Sequence, residues 1–209
     1  MIKNIIFDLG NVLISFKPSD YLDKTGYTPE FKNIVLNDIF KSPEWELLDN
    51  GTITISEAIE KISAHSSLKR EQIACVFNLR VKIMHPIDGN INLLPGLKER
   101  GFRLYFLSNF PEDIFDDVFQ GYDFFKCFDG GIISSKVKCS KPDIRIFKIL
   151  MDRYSLCAED CLFIDDIELN AISASSLGMK SIHVSESTNL YELMGKMIPP
   201  FSAVRSSDI

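Results

Sequence analysis

The stretch "NIIFDLGNVLI", residues 4–14, decides the fold prediction. An apolar run of strand length brings one carboxylate, Asp8, to a turn that contains Gly10 and Asn11. A carboxylate at the end of a buried strand is unfavourable unless a partner group uses it. The stretch therefore predicts a buried first strand that holds Asp8 at a functional edge of a sheet.

The rest of the chain repeats this alternation of strand and helix. Apolar runs of strand length alternate with segments of helical periodicity, a pattern typical of a parallel sheet with crossover helices. The predicted strands cover residues 4–8, 103–108, 130–135, 161–165 and 181–184. The helices predicted between the later strands cover residues 93–101, 141–154 and 168–178. The predicted fold class is α/β, a parallel Rossmann-like sheet with crossover helices.

A long interval separates the first two predicted strands, far more than one crossover helix requires. The helices predicted in this interval cover residues 18–26, 28–42, 56–65 and 69–84. Thr28 and Ser56 are the expected helix starts. We therefore expect an inserted helical cap over residues 16–88 and a Rossmann-like catalytic core formed by residues 1–15 and 89–209.

Composition excludes several function classes. Of the 209 residues, 45% are hydrophobic and 25% are charged, as in ordinary globular proteins. The 23 basic and 29 acidic residues give a net charge of -6, which argues against nucleic acid or an anionic membrane surface as partners. Asp8 comes too early for a signal peptide, and the apolar runs are too short to span a bilayer. Five cysteines without a CxxC pair predict reduced thiols, so we expect a cytoplasmic protein. No feature predicts the oligomeric state.

Polar residues end three of the predicted strands. Asp8 ends the first, Ser108 and Asn109 end the second, and Asp165 and Asp166 end the fourth. Ligands of open parallel sheets bind beyond the carboxyl ends of the strands. If these strands are neighbours, the five residues converge on one crevice.

Taken singly, each of these residues could simply cap a turn or a helix. Lys141, which opens the helix after the third strand and could reach the same crevice, could likewise be an ordinary surface lysine. The combination is harder to explain that way. Two carboxylates about 4 Å apart repel by roughly 4 kcal/mol at an effective dielectric of 20, so a crevice that gathers three needs cations. An oxygen-only ligand set predicts Mg²⁺, with Lys141 as a fixed positive charge, and such a site suits a phosphorylated substrate.

Four motifs then match a known family in order and spacing. They are "FDLGNVL" (7–13), "LSN" (107–109), "SKPDIRIF" (140–147) and "FIDDIELNAISASSLGM" (163–179), in which Asn170 and Gly178 also fall where the family expects them. The chain resembles the haloacid dehalogenase superfamily of aspartate-nucleophile hydrolases over nearly all its length. Within it, the chain is most similar to capped phosphatases, and its Asp-Leu-Gly-Asn motif is similar to that of bacterial α-glucose-1-phosphate phosphatases.

The resemblance implies a role for each matched residue. Asp8 would attack phosphorus in line and form an aspartyl-phosphate intermediate. The implied Mg²⁺ ligands are Asp8, Gly10 through its backbone carbonyl, Asp165 and Asp166. The implied phosphate ligands are Ser108, Asn109 and Lys141, and the implied catalytic residues are Asp8, Ser108 and Lys141.

Gly10 departs from the family pattern, because most phosphatases of the family carry an aspartate there for acid–base catalysis. Such catalysis is typically worth about 10²- to 10⁴-fold in rate. Three outcomes remain open: a leaving group that needs little protonation, a cap residue that replaces the acid, or a relative that only binds phosphorylated ligands. The cap candidates, unranked by the sequence, are Glu44, Glu46, Asp49 and His85.

We expect a Mg²⁺-dependent phosphatase that hydrolyses a small phosphorylated metabolite, a sugar phosphate among the possibilities, through Asp8. One alternative is a 2-haloacid dehalogenase, because a halide leaves without a proton. A second is a non-catalytic phosphate-binding relative. Aromatic residues such as Phe16, Phe40 and Trp45 suit either a sugar-sized pocket or helix packing.

Overall fold

The computed structural model describes residues 1–185 and 187–198, without the side chains of Arg80 and Val81. Residues 199–209, which the predicted core domain includes, lie outside the described residues. The strands are β1 (Asn4–Phe7), β2 (Ile14–Phe16), β3 (Met84–Pro86), β4 (Arg103–Ser108), β5 (Gly130–Ile133), β6 (Cys161–Asp165) and β7 (Lys180–His183). β5, β4, β1, β6 and β7 form, in that spatial order, one parallel sheet, and the predicted α/β class is confirmed.

The central position of β1 follows from its four apolar or buried residues. Side chains alternate across a strand, so Ile5 and Phe7 pack into the core on one face of the sheet while Ile6 packs into the core on the other. Phe7 lies opposite Phe106 of β4 and Ile164 of β6. This register brings the ends of the three strands level with one another.

The helices that connect and follow the core strands cover the two faces of the sheet. They are α6 (Asp88–Ile91), α7 (Leu93–Glu99), α8 (Glu112–Gly121), α9 (Ser134–Val137), α10 (Ile144–Tyr154), α11 (Glu168–Ser176) and α12 (Leu190–Met197), with 3₁₀ turns at Asp123–Cys127 and Ala158–Asp160. α10 begins after its N-cap Asp143, three residues later than predicted, because the Asp143 side chain accepts a hydrogen bond from the Arg145 backbone N–H at the helix start. β5, which was expected to extend over residues 130–135, ends at Ile133 because α9 begins at Ser134.

Five further helices lie between β2 and β3. They are α1 (Pro18–Lys24), α2 (Pro29–Val35), α3 (Pro43–Asp49), α4 (Ile55–Ser63) and α5 (Arg70–Ile83), with a π-helical turn at Leu36–Phe40 after α2. They bury a hydrophobic cluster of their own that includes Val35, Ile39, Ile62 and Phe77. The division into core and cap stays a prediction.

Local corrections to the predicted cap elements have simple causes. Thr28 caps α2 as expected. α4 begins one residue after Thr54 rather than at Ser56, because Thr54 and Glu57 form a reciprocal capping box. α3 was not predicted, nor were β2 and β3, whose antiparallel pairing joins Ser15 to His85 across the whole insertion. Within the described residues, no helix combines the length and apolar character that a bilayer crossing needs.

Candidate functional site

The carboxyl edge of the sheet brings together the polar residues that end its central strands. Asp8 follows β1, Ser108 ends β4 and Asp165 ends β6, and these strands are direct neighbours. The backbone N–H of Asp8 donates to the Ile164 carbonyl at 2.8 Å, which extends the β1–β6 ladder to the site. A cavity of about 220 Å³ opens above this edge.

The cavity is lined by residues near the strand ends of the parallel sheet and by residues of β2, β3 and α3. Those near the strand ends are Asp8, Gly10, Asn11, Ser108, Asn109, Phe110, Pro111, Lys141, Asp166, Ile167 and Asn170. Ile14 and Phe16 belong to β2, Met84 to β3, and Trp45 and Asp49 to α3. Six of the seven site residues predicted from the sequence line the cavity, and the seventh, Asp165, lies buried beneath it.

Three carboxylates meet at one point. One oxygen from each of Asp8, Asp165 and Asp166 lies within 4.8 Å of the other two. Oxygen ligands at this spacing match the preference of a hard divalent cation such as Mg²⁺. The residues present therefore fit the predicted ion.

Lys141 offsets part of this negative charge. Its ammonium lies 2.8 Å from Asp8 Oδ1 and 2.6 Å from Asp165 Oδ2, and its side chain is almost wholly buried. Burial lowers the pKa of Lys141, but the attraction of Asp8 and Asp165 outweighs burial, so the pKa is raised overall. Lys141 is therefore a permanent positive charge at the site.

The Asn109 side chain binds the backbone of Lys141. Its side-chain oxygen accepts a hydrogen bond from the Lys141 backbone N–H at 2.8 Å, and its amide nitrogen donates to the Lys141 carbonyl at 2.9 Å. The Asn109 side chain thus positions Lys141, which leaves the Asn109 backbone for the predicted phosphate contact.

Asp165 is held rigidly beneath the cavity. Its Oδ1 accepts hydrogen bonds from the Ile167 backbone N–H at 2.8 Å and from Asn170 Nδ2 at 2.9 Å, and its Oδ2 faces Lys141. Asn170, which the fourth motif singled out, is therefore a positioning residue for Asp165.

Asp166 is oriented by a residue that the sequence analysis did not assign. Asn11 donates from its side-chain nitrogen to Asp166 Oδ2 at 3.1 Å, and its side-chain oxygen accepts from the Phe16 backbone N–H at 3.0 Å. Asn11 adopts a positive φ of 50°, which asparagine tolerates better than most residues. The sequence signal that could have pointed to this role is the asparagine that follows Gly10 in the first motif.

Asp8 is a buried carboxylate whose pKa is raised. Burial raises its pKa to about 6, Lys141 opposes this rise, and the charge of Asp165 adds to it. The neighbouring Ser108 side chain also opposes the rise in the Asp8 pKa, because its hydroxyl favours the charged carboxylate.

Among the four cap candidates for the missing acid, Asp49 alone lines the cavity. Burial raises the pKa of Asp49 to about 7, and the charges of Asp8 and Glu46 add to the rise. Glu44 instead faces His65, with 3.7 Å between Oε2 and Nε2. Glu46 and His85 have exposed side chains outside the cavity lining.

Comparison with known proteins identifies the family. The model of the haloacid dehalogenase-like hydrolases matches residues 2–178. The chain belongs to this family.

Two curated relatives of this hydrolase are Aspergillus proteins. It is 26% identical over 185 residues to a sesquiterpene phosphatase of Aspergillus oryzae, covering 88% of this chain and 91% of that protein. It is 28% identical over 185 residues to a drimenol cyclase of Aspergillus calidoustus, covering 87% of this chain but 34% of the cyclase.

Solved structures share the fold of this hydrolase. A haloacid dehalogenase-family enzyme of Bacteroides thetaiotaomicron, in complex with magnesium and inorganic phosphate, is 24% identical with a TM-score of 0.73, over 92% of this chain and 99% of that one. The L-2-haloacid dehalogenase of Xanthobacter autotrophicus is 16% identical with a TM-score of 0.68, over 97% and 85% of the two chains.

Proposed function

We propose that this hydrolase is a Mg²⁺-dependent phosphatase in which Asp8 is the nucleophile. The observation that carries the proposal is the cluster of Asp8, Asp165 and Asp166 with Lys141 between two of its members. A haloacid substrate carries its own carboxylate, which three clustered acids repel, and its halide leaves without help from a metal. A phosphate ester instead benefits from every cation that such a cluster holds.

Two relatives support phosphate chemistry. The Aspergillus oryzae protein is a phosphatase by name, and the Bacteroides enzyme holds magnesium and inorganic phosphate on the same fold. We propose that Asp8, Asp165, Asp166 and the Gly10 carbonyl hold the ion. Bound Mg²⁺ would stabilise negative charge on the transferring phosphoryl group.

The chain's own residues would then perform the transfer. An oxygen of the Asp8 carboxylate attacks phosphorus, and the bond from phosphorus to the ester oxygen breaks. Ser108 and the Asn109 backbone hold phosphoryl oxygens, and Lys141 neutralises negative charge on Asp8 and on the phosphoryl group. We also propose that residues 1–15 and 89–209 form the catalytic core and residues 16–88 the cap.

The cavity wall favours the phosphate ester of an apolar alcohol. Phe16 stacks on Trp45, with 5.9 Å between ring centroids, and both line the cavity. Met84, Ile14 and Phe110 extend the apolar wall. A sugar needs hydrogen-bonding partners for several hydroxyl groups, whereas this wall consists of carbon surface. The relative that acts on sesquiterpenes, by its name, supports the same class of substrate.

The test measures phosphate release from decyl phosphate, glucose 1-phosphate and p-nitrophenyl phosphate, with Mg²⁺ or with EDTA, using Asp8→Asn as the blank. We expect Mg²⁺-dependent turnover that Asp8→Asn abolishes, with a higher kcat/KM for decyl phosphate than for glucose 1-phosphate. Trp45→Ala should lower kcat/KM for decyl phosphate more than for p-nitrophenyl phosphate.

Three other results would each contradict part of this function. Halide release from a 2-haloacid without metal would identify a dehalogenase. Phosphate binding without turnover would identify a binding module. A preference for glucose 1-phosphate would contradict the apolar substrate class and favour the sugar phosphate predicted from the first motif.

A further inference from the structure

We propose that Asp49, from the inserted helices, performs the proton transfers for which Gly10 has no side chain. The inference rests on the proposed phosphatase function and deepens it by naming the acid–base residue. Asp49 is the last residue of α3 and lines the same cavity as Asp8 and Gly10.

A set of hydrogen bonds fastens Asp49 to the core. The acceptors are three consecutive residues, and the donors come from the segment that leads from β5 to Lys141. Ser134 Oγ donates to the Asp49 carbonyl, Lys138 Nζ to the Gly51 carbonyl, and Ser140 Oγ to Asn50 Oδ1. The position of Asp49 relative to Lys141 is therefore set by direct contacts and not only by the packing of the cap helices.

Gly51 permits this close approach. A Cβ atom there would overlap the carbonyl oxygen of Ser135 and lie 2.8 Å from its Cα, and Gly51 has a positive φ of 61°. Only glycine combines this backbone conformation with the absence of a side chain. The end of α3 is thus shaped to sit against the core.

The site has room for an acidic side chain at position 10 as well as at Asp49. A Cβ atom built on Gly10 would meet only Asp8 Oδ2, at the ordinary distance of 3.7 Å. Gly10 also lies outside the positive-φ region that disfavours side chains. The family position for the acid is therefore open, and Asp49 lines the cavity from the side of the inserted helices.

The surroundings of Asp49 suit a proton donor. Burial is the main reason that its pKa is raised to about 7, and the charges of Asp8 on β1 and Glu46 on α3 raise it further. Lys141 is the opposing positive charge. An acid that is half protonated near neutral pH can both give and take a proton.

Asp49 gives one proton in the first half-reaction and takes one back in the second. As Asp8 attacks phosphorus, the ester P–O bond breaks and the leaving oxygen takes the proton of the Asp49 carboxyl group, which becomes a carboxylate. In the second step, this carboxylate takes a proton from water as the water oxygen attacks the aspartyl phosphate. The bond from phosphorus to Asp8 breaks, inorganic phosphate leaves, and Asp49 is protonated again.

The experiment compares leaving groups in Asp49→Asn, in the full-length protein with Mg²⁺. An alkoxide leaving group needs a proton from an acid, whereas nitrophenolate leaves without one. We expect kcat/KM for decyl phosphate to fall about 10²- to 10⁴-fold and kcat/KM for p-nitrophenyl phosphate to fall less than about 10-fold. Glu30→Gln, which removes an exposed charge from the inserted helix α2, should change either value by less than about 3-fold.

A second variant tests the assignment from the other side. Adding Gly10→Asp to Asp49→Asn should restore most of the decyl phosphate activity, because it supplies an acid at the open family position. Equal losses on both esters, an unchanged rate on decyl phosphate, or failure of this rescue in a folded protein would each overturn the role of Asp49. Wild-type protein without Asp8-dependent turnover would overturn the proposed function itself and this role with it.

Discussion

The ammonium of Lys141 lies between two buried carboxylates, 2.8 Å from Asp8 and 2.6 Å from Asp165. The three side chains come from different segments of the chain: the end of β1, the end of β6 and the loop before α10. The ion pair therefore ties the strand ends of the core together as well as serving the site.

Removing the Lys141 charge should destabilise the fold strongly. Lys141→Met leaves two buried carboxylates facing each other without compensation, and breaking such a pair costs about 3–5 kcal/mol. Urea unfolding at pH 7 in EDTA measures this loss of unfolding free energy. Adding Asp165→Asn should recover part of it, because one of the two repelling charges is then gone while Asn retains an acceptor for Ile167 and Asn170. Strictly additive losses would contradict this coupling.

Magnesium should stabilise the folded protein through the carboxylate cluster. A ligand that binds only the folded state at 100 times its Kd adds about 2.7 kcal/mol to the free energy of unfolding. The melting temperature of the wild-type protein should therefore rise with MgCl₂, and Asp166→Asn should remove most of that rise. Asp152→Asn, which removes an exposed charge on α10, is the matched control and should keep it. A rise that survives Asp166→Asn would place the ion elsewhere.

Asp49 should make stability depend on pH in a defined direction. Its pKa is raised from 3.8 to about 7, mainly by burial, so between these values the folded protein binds more protons than the unfolded chain. Its contribution is fully present below pH 3.8 and is lost as pH rises through about 7. Asn imitates the protonated acid, so Asp49→Asn should gain stability relative to wild type between pH 5 and pH 8, on the order of a few kcal/mol. Urea melts in EDTA check this, and an equal difference at both pH values would contradict it.

The sequence predicted the sheet and the acidic cluster because both depend on local patterns. Strand ends are visible as apolar runs that finish in polar residues, and parallel pairing then brings Asp8, Ser108 and Asp165 to one edge. Lys141 was also predicted to reach this edge. The helix containing Asn170 likewise followed from its periodicity and from Gly178, which ends it with a positive φ of 93°.

Contacts between distant segments could not be predicted in this way. The β2–β3 pair has three residues in each strand and joins Ile14 to Pro86, with no turn sequence between them to signal a hairpin. The sequence did not rank the four cap candidates for the missing acid, because three of them lie on α3 and only tertiary packing shows that Asp49, at its end, lines the cavity. The hydrogen bonds between the Asn109 side chain and the Lys141 backbone could not be predicted either, because they depend on tertiary packing.

Two glycines with positive φ allow the docking of α3 to be tested. Gly51, with a φ of 61°, lies against Ser135, whereas Gly26, with a φ of 74°, has no atom within 4 Å of a Cβ placed on it. Gly26→Ala should therefore cost only the backbone strain, about 1–2 kcal/mol. Gly51→Ala adds a steric overlap with the core, so its loss of unfolding free energy should be larger.

The two variants should differ still more in activity. The overlap at Gly51→Ala moves the end of α3 away from the core, and a carboxyl group displaced by about 1 Å can lose 10²-fold in rate. We therefore expect kcat/KM for decyl phosphate to fall in Gly51→Ala and to remain near wild type in Gly26→Ala, when both are measured below their melting temperatures. If Gly51→Ala retained full activity on decyl phosphate, the contact between α3 and the Ser134–Ser140 segment would not be what positions Asp49.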